Sequence, residues 1–64
     1  MKLSDFDGVN VEVTDVDGHV FSGCVTDYIC AEDNEPEGES IILKTCNGVY
    51  IEFRREEISR IDCL

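Results

Sequence analysis

Sixty-four residues and 7.2 kDa leave room for one small domain, residues 1–64, because a chain this short buries only about 60 % of the surface its unfolded form exposes. At 42 % hydrophobic and 31 % charged the composition is globular, while a net charge of −10 and a pI near 4.1 set the chain against nucleic-acid phosphates and anionic membranes. The excess is local: residues 1–39 hold eleven acids against Lys2 alone, whereas residues 40–64 set four acids against four cations. A basic protein partner fits that distribution better than nucleic acid does.

The opening Met1-Lys2-Leu3-Ser4-Asp5 runs into acids rather than an apolar stretch, so no secretory signal is expected. No run approaches the roughly 18 apolar residues of a membrane helix, and a cytoplasmic location is the expectation. Cys24, Cys30, Cys46 and Cys63 contain no C-x-x-C pair. Their spacing favours reduced thiols that pack as small hydrophobes over a zinc site or disulfides.

Met1 to Asp7 predicts a turn, with Ser4 and Asp7 spaced to cap it. Val9 to Val13 alternates strictly, three valines on one face, which predicts a half-buried strand. Asp17-Gly18 then predicts a tight hairpin. His19 to Cys30 reads as a long strand with Phe21, Val25 and Ile29 on one face and Val20, Cys24, Tyr28 and Cys30 on the other. Gly23 marks its expected bend or bulge.

Ala31 to Ser40 carries five acids, a proline and a glycine without periodicity, and predicts a loop. Ile41 to Cys46 and Val49 to Phe53 flank Asn47-Gly48, a strong hairpin signal, with Val49, Ile51 and Phe53 inward. Arg54 to Ser59 fits a single 3₁₀ turn, and Ile58 to Leu64 a last strand. The expected core is Val9, Val11, Val13, Phe21, Val25, Ile41, Leu43, Val49, Ile51, Phe53, Ile58 and Ile61. Five short strands with no helix to cover a face are best served by closure, so the expectation is all-β: a small, strongly bent, five-stranded antiparallel SH3-like barrel.

The order Gly8-Val9-Asn10-Val11-Glu12-Val13, then Asp17-Gly18-His19-Val20-Phe21-Ser22-Gly23 and Asp27, resembles the opening half of an Sm-like (LSm) domain. Gly48 to Phe53 followed by Glu57-Ile58-Ser59-Arg60-Ile61 is similar to that family's last two strands. Asp27-Tyr28 through Pro36 also resembles uncharacterised small bacterial Sm-like proteins. The resemblance implies assembly through the exposed edges of the fourth and fifth strands, hence a homo-oligomer. Family members that bind RNA carry an aromatic or His-Asn loop before the third strand and an Arg-Gly or Lys-Gly element near the last. Here Asn34 stands between Asp33 and Glu35, and neither dipeptide occurs.

Asp5-Phe6-Asp7-Gly8 and Asp15-Val16-Asp17-Gly18 repeat a D-h-D-G pattern, but its glycine falls at position 4 where a calcium loop needs position 6, so two acidic turns are read here. His19, Ser22 and Cys24 share a strand with no placed orienting acid or oxyanion hole, so no enzyme is expected. No cofactor and no metal is expected either. The candidate partner-binding residues are Asp33, Asn34 and Glu35 in the acidic loop, the exposed Tyr50, and the adjacent cations Arg54 and Arg55, with Glu56 and Glu57 as their local salt partners. The functional expectation is a non-catalytic, acidic Sm-like interaction module that self-associates through strand edges and binds a protein; the alternative is a divergent RNA-binding Sm-like ring with Asp33-Asn34 and Arg54-Arg55 at its pore.

Overall fold

A computed structural model describes residues 2–30 and 38–64. They form one five-stranded antiparallel sheet of β1 (Asn10–Asp15), β2 (Val20–Ile29), β3 (Ser40–Thr45), β4 (Tyr50–Arg54) and β5 (Ile58–Cys63), in the order β4-β3-β2-β1-β5. Two short 3₁₀ turns complete it, η1 (Leu3–Phe6) before β1 and η2 (Arg55–Glu57) between β4 and β5. The hairpin glycines Gly18 and Gly48 adopt φ 87° and 80°, where a side chain is strained.

The edges β4 and β5 lie four strand spacings apart, about 19 Å in a flat sheet. Yet only η2 separates Arg54 from Ile58, and four residues reach at most about 14 Å. The sheet is therefore curled, bringing both edges onto one core. Leu3, Val11, Val13, Val25, Ile41, Leu43, Phe53, Ile58 and Ile61 are buried in that core, and Val9, Phe21 and Ile51 pack against it half-buried. The Phe21 and Phe53 rings, from strands with β3 between them, meet at 5.3 Å.

Several expectations are corrected. The irregularity of β2 falls between Val25 and Asp27 rather than at Gly23, making Thr26 the extra residue. Val25 and Tyr28 therefore both turn to the core despite opposite parity, with Leu43 and Ile41 as their β3 partners. Gly23 instead admits a backbone: a Cβ there would lie 2.2 Å from the Lys44 carbonyl oxygen. Val49 is 53 % exposed, because it precedes β4 at the hairpin tip, past the end of the core.

Leu3 was not among the expected core residues and is fully buried, η1 folding it over β2. The segment after η1 is tied down where Gly8 N–H donates to the Val25 carbonyl (2.8 Å) and Val25 N–H to the Val9 carbonyl (3.0 Å). Neither end of η1 has the expected Ser4 side-chain cap; Lys2 is its N-cap, and Asp7 closes it by donating its N–H to the Ser4 carbonyl at 3.4 Å.

Candidate interaction site

The expected acidic determinants Asp33, Asn34 and Glu35 lie outside the described residues. Of the others, Tyr50 opens β4 and is 62 % exposed, with Lys44 Nζ 5.7 Å from its ring centroid. That contact contributes about 0.5–1 kcal/mol at such an exposed position. Arg54, the last residue of β4, is exposed, and its backbone N–H donates to Glu57 Oε1 at 2.9 Å. Tyr50 pairs with Lys44 and Arg54 with Ser40, so four residues of strand, about 13 Å, separate them. One compact site does not contain both.

Arg55 is held from across the fold rather than by its sequence neighbours. Its guanidinium donates to Glu39 Oε1 at 3.2 Å and its backbone N–H to the Glu39 carbonyl at 3.1 Å. Glu39 Oε2 in turn accepts from the Tyr28 hydroxyl at 2.6 Å. This chain of contacts fastens the entry to β3 onto η2 and the end of β2. The hydrogen bond to Glu39, with burial and the carboxylate's charge, pushes the Tyr28 hydroxyl up to about 12. The expected Glu56 and Glu57 partners are replaced by Glu39, and Glu57 acts on the Arg54 backbone instead.

A second acidic locus, not read as a site from the sequence, forms at the β1–β2 turn. Asp15 Oδ1 accepts from the Asp17 and His19 backbone N–H groups at 3.0 and 2.8 Å, and Asp15 Oδ2 lies 3.3 Å from His19 Nδ1. Burial pushes the Asp15 carboxyl up, but those backbone donors and the His19 side chain outweigh it and hold the group below its ordinary 3.8. The ligand atoms of Asp15, Asp17 and His19 come within 4.8 Å of one another. Val16 N–H donates to the Glu57 carbonyl at 3.0 Å, so the η2 backbone lies against this turn. The D-h-D-G motif signalled the turn; the approach of η2 had no local signal.

The sheet edges are the other candidate surface. Thr45 N–H donates to the Val49 carbonyl at 2.8 Å, so by antiparallel alternation Val49, Ile51 and Phe53 bond to β3 while Tyr50, Glu52 and Arg54 turn their backbone groups to the open side. Leu64 N–H donates to the Asn10 carbonyl at 2.9 Å, so Arg60, Asp62 and Leu64 bond to β1 while Ile61 and Cys63 face outward along the other edge. Cys63 and Cys46 are exposed, Cys24 and Cys30 half-buried. Among the described residues no helix is long and apolar enough to cross a membrane. No protein-family model, curated protein or solved structure matches the chain.

Proposed function

We propose that this chain is a small, acidic, non-catalytic Sm-like interaction module of the cytoplasm, its sheet curled into an SH3-like barrel, which self-associates through β4 and β5 and binds a basic protein partner. The observation carrying this reading is the strand order, in which β4 and β5 are the two edges with unspent backbone groups. Open edges pair with other strands unless something blocks them, and these edges carry no proline and no strand-long run of charge. The Sm-like resemblance assigns assembly to the same two strands. For the partner, the support is the net charge of −10 and the grouping of Asp15 and Asp17 with η2, which carries Glu56 and Glu57.

The RNA-binding alternative loses a cation it requires, since Arg55 is engaged by Glu39. Light scattering coupled to size exclusion, with reductant and at two salt concentrations, tests the self-association. A species of several chains is the expected result, strengthened by salt because screening relieves repulsion between acidic copies. A single-chain mass at both salts overturns it. Binding to a basic protein should instead weaken as salt rises.

A further inference from the structure

The β1–β2 and β3–β4 hairpins close on the same turn. In the first, Asp15 N–H donates to the His19 carbonyl at 2.9 Å and Gly18 N–H to the Asp15 carbonyl at 3.0 Å. In the second, Thr45 N–H donates to the Val49 carbonyl at 2.8 Å and Gly48 N–H to the Thr45 carbonyl at 2.9 Å. Each turn is also braced by a side-chain oxygen of its first residue: Asp15 Oδ1 accepts from His19 N–H at 2.8 Å, and Thr45 Oγ1 from Val49 N–H at 3.2 Å. Asp15, Asp17 and His19 therefore correspond to Thr45, Asn47 and Val49. A hydroxyl, an amide and an isopropyl group suffice to make this turn. Beyond that need, the first hairpin carries a second oxygen on Asp15, a carboxylate on Asp17 and the one imidazole of the chain.

Those surplus groups converge. Asp15 Oδ2 lies 3.3 Å from His19 Nδ1, and one ligand atom from each of the three residues falls within 4.8 Å of the others. Zinc bonds of about 2.0–2.2 Å, at tetrahedral or octahedral angles, set neighbouring donors about 3.0–3.5 Å apart, so the Asp15–His19 pair already has the spacing of two ligands on one ion. The Asp17 and His19 backbone N–H groups hold Asp15 Oδ1, fixing the carboxylate as outer-shell hydrogen bonds fix metal ligands. An imidazole among carboxylates suits a late first-row ion, whereas calcium and magnesium take oxygen ligands. We propose that Asp15, Asp17 and His19 hold a divalent transition-metal ion of the zinc class. The ligands are Asp15 Oδ2, an Asp17 carboxylate oxygen and His19 Nδ1, the imidazole keeping its proton on Nε2, with water in the remaining positions. This assignment rests on neither self-association nor a protein partner.

Zinc titrated into the reduced, unmodified chain, followed by NMR of the His19 ring and the backbone amides, tests it. The free thiols also take zinc, and the His19 ring reports on this turn rather than on them. The ring and the amides of residues 15–19 are expected to shift together and to saturate at one ion per chain, while those of residues 45–49 stay in place. Magnesium at the same concentrations should leave the ring unmoved. Asp17→Asn with His19→Val copies the second hairpin, so the fold is kept. Loss of even one outer-shell partner costs about 10–100-fold in metal affinity, so removing two ligands should weaken the zinc response of amides 15–19 by about 100-fold or more. Asp17→Asn alone keeps the ring as reporter and should weaken it by about tenfold or more. A His19 ring indifferent to millimolar zinc overturns the site. So does an equal response to magnesium, which would mark unselective charge attraction, and so does zinc binding that Asp17→Asn leaves unchanged.

Discussion

Single atoms decide much in a chain with so small a core, and Gly23 is the sharpest case. A methyl group there would meet the Lys44 carbonyl at 2.2 Å and Thr45 Cα at 2.9 Å, all of it backbone that can yield only by parting β2 from β3. Gly48, with φ 80°, has nothing within 4 Å of the same added atom. Gly48→Ala should therefore cost about 1–2 kcal/mol of left-handed strain. Gly23→Ala should cost more than the roughly 1–3 kcal/mol of ordinary overpacking, a large share of a small domain's stability. Paired thermal melts check the ranking; equal losses would place the strain elsewhere.

Tyr28 gives a pH signature at the same scale. Its hydroxyl donates to Glu39, and ionisation would set a phenolate against that carboxylate. The folded value of about 12 lies above the ordinary value of 10.0, so the stabilisation is complete below pH 10 and is lost as pH rises through 12. Tyrosinate absorbance followed against pH should show a step near 12 that Tyr28→Phe removes. A wild-type titration without that late step would mean the bond to Glu39 is not made in solution.

Among the elements, strands and hairpins were legible because they are local: alternating valines, Asp17-Gly18 and Asn47-Gly48 act over a handful of residues. Bulges were not. Thr26 and Ser59 look like any strand residue, and only their partners in β3 and β1 make them extra. Ile58 and Ile61 are both buried, three apart, for the same reason that Val25 and Tyr28 both face inward. Val49 shows the complementary limit, since parity fixes the face of a residue but not how far the core extends along it. Leu3 was hinted at by its i,i+3 spacing to Phe6 in a predicted turn, but the strand it would cover was not. Of the candidate site, the exposure of Tyr50 followed from parity, whereas the grip of Glu39 on Arg55 joins residues sixteen apart and had no local signal. Deleting Thr26 should restore simple alternation, leaving Val25 and Tyr28 two positions apart and both still inward, but it removes the local kink by which the bulge bends β2. Such a variant is expected to lose its cooperative melt, and near-native stability would show the bulge to be dispensable.

For the whole molecule, η2 brings the two edges onto one core, but it also fixes the order in which chain segments meet. Pairings β1–β2, β2–β3 and β3–β4 join consecutive strands, while β1–β5 alone joins the first strand to the last. Closing a loop of about 40 residues before any bond repays it is slow, so β5 should dock last in folding. Until it docks, β1 presents an unpaired side that fits the β5 of any copy of the chain. Refolding at high concentration should thus trap exchanged dimers that persist on dilution, unlike edge-associated copies, which separate. Size exclusion of diluted, refolded protein distinguishes them, and a product independent of refolding concentration would rule the exchange out. The same short connection that curls the sheet thereby leaves its final strand as the segment most readily lent to a neighbour.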